Sequence, residues 1–273
     1  VAEPTERVNF DPVRLCNPFF HVAEVAWMFA GCQQVDWIRQ FNKRFKEYAD
    51  EDGKVHGAYG HRWRFHWRQD QIWEVCNTLR KDPNSRRAVV AMWDARVDSD
   101  GSHNDYPCNT HIYFRGINGK LDMTVCNRSN DVVWGMTGAN VVHMTVLQEL
   151  VAHEVGMAVG SYHVMTNNAH IYTDMPNYKA ISRTYAPVLM PQYKAPIPIL
   201  DREETYVDFI TDCRNLVDGK YVELTYWVRH VAVPMLAVYQ CRPGYTPDDI
   251  ACPQWRYAAK QWLWIVRGQK YES

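Results

Sequence analysis

Apolar and polar positions along the chain follow two different periods, which predict helices in some stretches and strands in others. Four stretches have apolar residues at helical spacing or crowded into one run, and are predicted to be helices: 19–30, 35–49, 70–79 and 141–155. Gly31 directly follows the first of them, as is typical of a glycine that ends a helix. The sequence therefore predicts a substantial helical part.

Alternation between apolar and polar residues predicts the strands. They are expected over the ranges 88–93, 110–115, 121–125 and 164–172. The second and third ranges flank a turn from Gly116 to Gly119, so they are predicted to pair as a β-hairpin. The small residues of 53–64 instead predict a tight loop that enters a strand. Helices and strands together indicate an α/β protein.

Composition narrows the class of protein. A chain of 273 residues with 47% hydrophobic content is long enough for one large core, and we expect a single domain over 1–273. The net charge of −1 gives no basic field for nucleic acid. No apolar run approaches the roughly 18 residues that a membrane span needs. The eight cysteines show no zinc-type spacing, so we expect reduced thiols, no metal and a cytoplasmic protein.

Cys108 is the candidate for chemistry. It stands just after Pro107 at the start of the predicted hairpin, and the polar run 127–131 follows the second strand of that hairpin. These two ends can converge on one site. Residue type alone favours a structural role for Cys108, because free cysteine is usually a small buried hydrophobe.

The motifs around Cys108 favour a catalytic role over a structural one. Pro107-Cys108-Asn109, and then Arg128-Ser129-Asn130-Asp131 followed by Val-Val-Trp-Gly, resemble the nucleophile and phosphate segments of the thymidylate synthase family. The family pattern is Pro-Cys, then Arg-Ser-x-Asp, then a glycine and an asparagine. The resemblance covers residues 14–180, and 186–273 form a divergent extension. It implies an α/β fold with a large mixed sheet and flanking helices, and a homodimer that forms sheet to sheet.

The resemblance implies four catalytic residues: Glu24, Tyr59, Cys108 and Asp131. Glu24 stands in an apolar helix, where a carboxyl is either paired or has a raised pKa suited to proton transfer. Its position alone would equally allow it to face solvent. In the family, the matching glutamate organises water and protons around a pyrimidine, and the residue matching Tyr59 positions water and the nucleophile.

A larger set is implied to bind the nucleotide: Arg86, Arg87, Arg128, Ser129, Asn140, His170 and Tyr172. Arg86 and Arg87 belong to a DPxSRR motif, and the planar guanidinium group suits phosphate, although exposed arginine pairs are commoner. In the family these arginines reach the phosphate of the neighbouring subunit. The resemblance therefore implies an obligate homodimer with shared sites.

The sugar and phosphate contacts are less complete. His170 and Tyr172 fall on one strand face and are implied to hold the 3′-hydroxyl of the nucleotide, with Asn167 or Asn168 nearby. The phosphate-binding arginine loop of the family has no evident match before the first helix. Either Arg7 or Arg14 could replace it.

The second substrate implied by the resemblance is 5,10-methylenetetrahydrofolate. Its expected contacts are Phe45, Tyr48, Trp93, Asp131 and Gly135. Phe45 and Tyr48 replace family tryptophans, Asn109 replaces the histidine that synthases have after the cysteine, and the closing C-terminal tail is not recognisable. Together with the similarity of NRSNDVVWG to the corresponding segment of the phage deoxycytidylate hydroxymethylases, these departures favour a 5-hydroxymethyl over a 5-methyl product.

The chemistry expected is addition of the Cys108 thiolate to C6 of the pyrimidine ring, with Arg128 lowering the pKa of the thiol. Synthases read uracil with an asparagine four residues after the glycine that matches Gly135. Here Ala139 has that place and Asn140 follows, as if one residue were inserted. If Asn140 reaches the slot, dUMP is favoured as the substrate. If it does not, the base is read in another way and dCMP is equally plausible; we favour dUMP slightly.

Three alternatives remain open from the sequence. The protein could be a divergent synthase that makes the 5-methyl product, or a nucleotide-binding homologue without catalysis. It could also be a cysteine hydrolase that pairs Cys108 with His111 or His143. The favoured interpretation is a transferase of the cytoplasm of a phage-infected bacterium.

Overall fold

A computed structural model describes residues 1, 3–8, 14–174, 196–221 and 224–269 of the chain. Its α-helices are α1 (Pro18–Phe29), α2 (Tyr59–Arg64), α3 (Gln71–Lys81), α4 (Asn140–Glu154), α5 (Tyr206–Val217), α6 (Val233–Tyr239) and α7 (Pro253–Arg267). Its strands are β1 (Val89–Ala91), β2 (Asn109–Ile117), β3 (Lys120–Asn127), β4 (Asn130–Asp131), β5 (Ala158–Thr166) and β6 (Ala169–His170). Within these ranges no helix is long and apolar enough to cross a membrane.

The main sheet has the order β1-β2-β3-β5 and is mixed, because β3 and β5 are parallel while the other pairs are antiparallel. The predicted hairpin is confirmed, and its two-residue turn uses Asn118 and Gly119 at positive φ. Helix α4 crosses from the β4 region to β5, and its Gln148 amide donates to the carbonyl of Leu121, 2.8 Å away. The predicted α/β fold with a mixed sheet and flanking helices is confirmed.

The two faces of this sheet differ. The face towards α4 is closed by buried side chains, namely Ile112, Phe114, Leu121, Met123 and Val125. The opposite face has exposed side chains, among them Tyr113 and Met165. Alternation along β2 and β3 thus sorts apolar residues to one face and leaves the other available to solvent within a single chain.

Helix α1 is the centre of the core. The Asn17 side chain caps it by accepting the N–H groups of Phe19 and Phe20 at 3.0 and 3.1 Å, and Pro18 occupies the first turn. Every residue of α1 except Glu24 is buried. The predicted helix over 19–30 is confirmed. It is apolar on all sides because neighbouring parts of the chain cover it on all sides.

Two local predictions are wrong. The stretch 35–49 forms two 3₁₀ turns, Ile38–Gln40 and Lys43–Tyr48, because Asn42 leaves helical dihedrals and uses its side chain to cap Arg44. The stretch 53–64 ends in helix α2, not in a strand. A Cβ at Gly60 would lie 1.7 Å from the Met28 carbonyl oxygen, so the glycine lets α2 pack directly on α1.

The remaining predictions hold with changed bounds. Helices 70–79 and 141–155 correspond to α3 and α4, and the strand 88–93 is the shorter β1. The predicted strand 164–172 is divided, because β5 ends at Thr166 and β6 starts at Ala169 to pair with β4. Backbone groups of Asn167 and Asn168 turn to Asn127 and Asn130 between the two strands.

The C-terminal extension adds helices to the same core. The ring of Phe209 in α5 lies 5.3 Å from that of Phe29, and Tyr239 and Trp262 each lie 5.5 Å from Phe19. The Tyr239 hydroxyl also donates to the carbonyl of Phe41 at 3.3 Å. Helices α5, α6 and α7 therefore cover the side of α1 that the sheet layer does not.

This packing gives a test of the single-domain prediction. Trp262 is 8% exposed and Trp264, two residues further along α7, is 53% exposed. Trp262→Ala should lower the free energy of unfolding by about 3–5 kcal/mol, because it leaves a cavity against α1, whereas Trp264→Ala should cost less than about 1 kcal/mol. Urea unfolding followed by tryptophan fluorescence and by circular dichroism should give one coincident transition. Separate transitions would show an independent extension.

Candidate active site

The register of the hairpin brings Cys108 and Arg128 together. Asn109 and Asn127 are partners across β2 and β3, so the residues just outside both strands meet at one edge of the sheet. The backbone N–H of Arg128 donates to the carbonyl of Cys108 at 2.9 Å. The convergence predicted from the sequence is therefore present in the structure.

The Arg128 side chain fixes the loop that precedes the cysteine. Its Nε donates to the carbonyl of Pro107 at 3.0 Å, and a terminal nitrogen donates to that of Tyr106 at 3.1 Å. The guanidinium group also lies over the Trp93 ring, 5.5 Å from its centroid. Trp93, which was predicted to contact folate, thus supports Arg128, and Arg128 in turn holds the loop before Cys108.

Burial raises the pKa of the Cys108 thiol above its ordinary value. The charge of Arg128 and a hydrogen bond from the Tyr59 side chain act in the opposite direction, but burial is the larger effect. The expectation that Arg128 lowers the pKa of the thiol is confirmed for its own contribution, while burial raises this pKa overall. In the free protein Cys108 is a thiol at neutral pH.

Tyr59, the first residue of α2, faces Cys108 as the sequence predicted. Its hydroxyl bonds the cysteine and accepts the backbone N–H of Asn109. Burial holds the pKa of Tyr59 well above its usual value, so the phenol stays protonated. It is a fixed donor directed at the sulfur.

Glu24 is almost buried beside His143. Its Oε2 lies 3.1 Å from His143 Nε2, and neither atom has a hydrogen-bond partner in the described part of the chain. Burial, with a smaller contribution from Asp105, raises the pKa of Glu24 to about 8, and burial lowers that of His143 well below its ordinary value. At neutral pH the pair is a protonated carboxyl next to a neutral imidazole.

Asp105 is a member of the site that the sequence analysis missed. Its carboxylate accepts the N–H groups of Gly57 and Tyr106, and burial raises its pKa to about 6 despite the nearby charge of Arg128. It raises the pKa of each of four surrounding groups: Glu24, Tyr48, Tyr59 and Cys108. The sequence did contain a signal for this role. Asp105 stands three positions before Cys108, and a carboxylate so close to a thiol can raise its pKa.

Asp131 is engaged in capping. Its Oδ1 accepts the backbone N–H groups of Val133 and Trp134 at 2.7 and 2.6 Å, at the start of the segment Val132–Ala139. This geometry fixes the start of the segment. It also occupies one oxygen of the carboxylate to which the sequence assigned catalytic and folate-binding roles.

The segment Val132–Ala139 has π-helical hydrogen bonding interrupted at Gly138. A π-turn accommodates one extra residue, which agrees with the insertion inferred before Asn140. The Asn140 amide nitrogen donates to Asn130 Oδ1 at 3.2 Å. A Cβ at Gly135 would lie 2.6 Å from that oxygen, so Gly135 makes room for the two amides.

The predicted sugar-binding pair lies next to this segment. His170 pairs with Asp131 through the two-stranded sheet of β4 and β6. The rings of His170 and Tyr172 are 5.0 Å apart and perpendicular, and Tyr172 is exposed. Ser129 is half-buried on the same connection between β3 and β4.

The arginines differ in their surroundings. Arg86 and Arg87 are exposed just before the edge strand β1. Arg7 is buried in an ion pair with Glu149, which makes it a structural residue. Arg14 donates to the carbonyl of Val133 and so lies against the π-helical segment.

Of the residues predicted to contact folate, Phe45 is core. Its ring packs between Phe20 and Trp27 at 5.6 and 5.4 Å. Tyr48, 36% exposed, and Trp134, 45% exposed, present aromatic surface instead. Trp134 lies 5.9 Å from Phe20 and was overlooked in the sequence, although the Val-Val-Trp-Gly motif contains it.

Comparison with known proteins places this arrangement in a family. The sequence model of thymidylate synthase matches residues 16–204, more than half of the chain. The chain belongs to the thymidylate synthase family. It is a one-carbon transferase. The family match extends to residue 204, beyond the end of the predicted resemblance at residue 180.

Phage proteins are among the relatives of this family member. It is 34% identical over 282 residues to the deoxyuridylate hydroxymethyltransferase of Pseudomonas phage M6, with 95% of this chain and 80% of that protein aligned. The enzyme of the same name from Bacillus phage SP01 is 36% identical over 183 residues, which are 63% of this chain and 48% of that protein. The thymidylate synthase of phage T4 shares the fold, with a TM-score of 0.56 at 22% identity over 76% of this chain and 80% of that one.

The buried carboxyl of this thymidylate synthase family member predicts a pH-dependent stability. Because burial raises the pKa of Glu24 from 4.5 to about 8, its stabilising contribution is complete below pH 4.5 and is lost as the pH rises through 8. Glu24→Gln cannot ionise, so its free energy of unfolding should exceed that of the wild type by at least about 1 kcal/mol at pH 9 and by little at pH 5.

Thermal melts of both proteins across this pH range check the prediction. The exposed Glu203→Gln is the matched control and should melt with the wild type at either pH. An equal effect of Glu24→Gln at pH 5 and pH 9 would contradict a raised pKa.

Proposed function

We propose that the protein hydroxymethylates dUMP at C5, with 5,10-methylenetetrahydrofolate as the donor of the one-carbon unit. The observation behind this proposal is the arrangement of Cys108 between the Tyr59 donor and the Arg128 clamp, with the protonated Glu24 near Tyr59. The names of the three phage relatives support the 5-hydroxymethyl product. Asn109 supports it too, because it is buried and bonded to Asn127, where synthases have a histidine.

Cys108 begins the reaction as a nucleophile. Burial raises the pKa of this thiol, so it must lose its proton before it attacks, and the Tyr59 hydroxyl and the Arg128 charge would stabilise the thiolate. Addition of sulfur to C6 of the pyrimidine ring makes C5 a carbon nucleophile. Arg128 keeps the sulfur in position through the carbonyl groups of Tyr106 and Pro107.

The described residues fit a folate. Tyr48, which lies near Asp105, and Trp134 each offer an exposed aromatic ring, and flat ring systems such as a pterin stack on such surfaces. Folate would supply a one-carbon unit at the oxidation level of formaldehyde. Tyr48 and Trp134 would hold it, Trp93 would support Arg128, and Gly135 would leave room beside the ring of the nucleotide.

Water addition distinguishes this activity from methylation. Glu24 is protonated and His143 neutral at neutral pH, so the pair can give a proton to one atom and accept one from another. The atoms Glu24 Oε2 and His143 Nε2, which lack partners in the described structure, can orient a water molecule. C5 would take up the one-carbon unit and then lose its proton as tetrahydrofolate leaves, which gives an exocyclic methylene on C5. That water would add to this methylene and give up a proton, and loss of the Cys108 sulfur from C6 would release the product.

Asn140 would read the base, and the sugar and phosphate would meet the remaining predicted residues. An amide can donate to O4 and accept from N3–H of uracil, which favours dUMP over dCMP. His170 and Tyr172 would bind the 3′-hydroxyl group. Ser129 and Arg128 would lie next to the phosphate, together with Arg86 and Arg87 of the partner subunit in a homodimer formed by the exposed sheet face.

Product analysis tests the reaction. With dUMP and 5,10-methylenetetrahydrofolate, mass spectrometry should show a gain of one CH₂O unit. Cys108→Ser should reduce the rate by roughly a thousandfold or more, because no strong nucleophile remains. Cys126→Ser is the matched control, since this half-buried thiol lies on β3, and should retain activity. A methyl gain with dihydrofolate would instead identify a divergent synthase.

Subunit mixing tests the shared sites. Cys108→Ser and the double variant Arg86→Ala, Arg87→Ala should each be inactive alone. After unfolding and refolding together, half of the dimers are mixed and have one intact site of two, so about a quarter of the wild-type activity should return. No recovery, with mixed dimers present by native mass spectrometry, would place both arginines outside the partner's site.

A further inference from the structure

The amide of Asn140 is not held by its own helix alone. Its Nδ2 donates to Asn130 Oδ1 at 3.2 Å. Asn130 is 3% exposed, and its own Nδ2 lies 3.4 Å from Thr166 Oγ1. Its backbone N–H donates to the carbonyl of Asn168 at 2.9 Å. Asn130 is thus anchored from two sides, and Asn140 is the partner that it orients.

The orientation of this amide has a chemical consequence. An asparagine side chain has a donating end and an accepting end. With Asn140 Nδ2 turned to Asn130 Oδ1, one N–H and the oxygen Oδ1 remain for a ligand. These match O4 and N3–H of uracil, whereas N3 and the amino group of cytosine would meet the wrong partners.

The reverse orientation is unfavourable. A rotation of the Asn140 amide by half a turn would bring its oxygen against Asn130 Oδ1, and two acceptors would face each other in a nearly closed site. The family pattern Arg-Ser-x-Asp leaves the position of Asn130 open, so this chain has its own residue there. The π-helical segment before Asn140 makes such an anchor necessary, because Asn140 comes one residue later than in the family pattern.

We propose that Asn130 is the positioning residue for base specificity, which holds the Asn140 amide in the orientation that accepts uracil and rejects cytosine. This inference rests on the proposed function, with Asn140 as the residue that reads the base. Gly135 is part of the same arrangement of Asn130 and Asn140. A Cβ there would lie 2.6 Å from Asn130 Oδ1 and 3.0 Å from Asn140 Nδ2, so it would separate the two amides.

The test compares dUMP and dCMP as competing substrates, and their binding by titration calorimetry. Asn130→Leu removes the acceptor at similar volume and should reduce the ratio of kcat/KM for dUMP over dCMP by at least about tenfold. Asn130→Asp keeps an acceptor towards Asn140, and the Thr166 hydroxyl can donate to it, so it should retain the wild-type ratio. General damage to the fold would lower both values together and leave their ratio unchanged.

An unchanged ratio in folded Asn130→Leu would overturn the proposal, as would a wild-type preference for dCMP. If Asn130→Leu does not fold, Gly135→Ala takes its place. It should reduce the ratio of kcat/KM for dUMP over dCMP in the same way, and an unchanged ratio would again overturn the proposal. The calorimetry separates the two proposals. A wild type that binds dUMP more tightly than dCMP without turnover would contradict the proposed reaction, and the variants would still decide the role of Asn130 by their binding ratio.

Discussion

Helix α1 is buried on all sides, and this constraint determines the layers around it. Its apolar positions leave no face for solvent, so the sheet with α4 must cover one side and the C-terminal helices the other. The same burial explains the chemistry of its single carboxyl. Glu24 cannot ionise at its usual pH in these surroundings, and an apolar helix thereby becomes the source of a protonated acid near Tyr59.

The site is assembled mostly from uncharged groups. Glu24 is protonated, His143 is neutral, Cys108 is a thiol and Tyr59 is a phenol at neutral pH, all through burial. Arg128 and Asp105 are charged among them, and Arg128 is held by carbonyl groups of the nucleophile loop. In the proposed reaction, such a site has little charge to neutralise before the nucleotide binds, and charge that develops meets donors already in position.

The sequence was sufficient for features that depend on neighbours in the chain. Cys108 and Arg128 flank the strands of one hairpin, so their meeting follows from strand pairing. The apolar surroundings of Glu24 allowed its burial but equally allowed a position facing solvent, and only the packing around α1 decides between them. Features that depend on contacts between residues far apart in the chain could not be predicted from the sequence. The capping role of Asp131, the core position of Phe45 and the pairing of Asn130 with Asn140 each require the final packing. Asp105 lies between these cases, because its position beside the cysteine was visible while its effect on four neighbouring groups was not.

The order of the helices along the chain has a consequence for synthesis. Trp262 of α7 closes the surface formed by Phe19 and Tyr239, and Tyr239 in turn bonds the carbonyl of Phe41, at the base of the segment that presents Tyr48. On the ribosome, the apolar surface of α1 must therefore wait until α7 has been made. While the residues between these two helices are synthesised, this surface is uncovered and is exposed to chaperones and to aggregation.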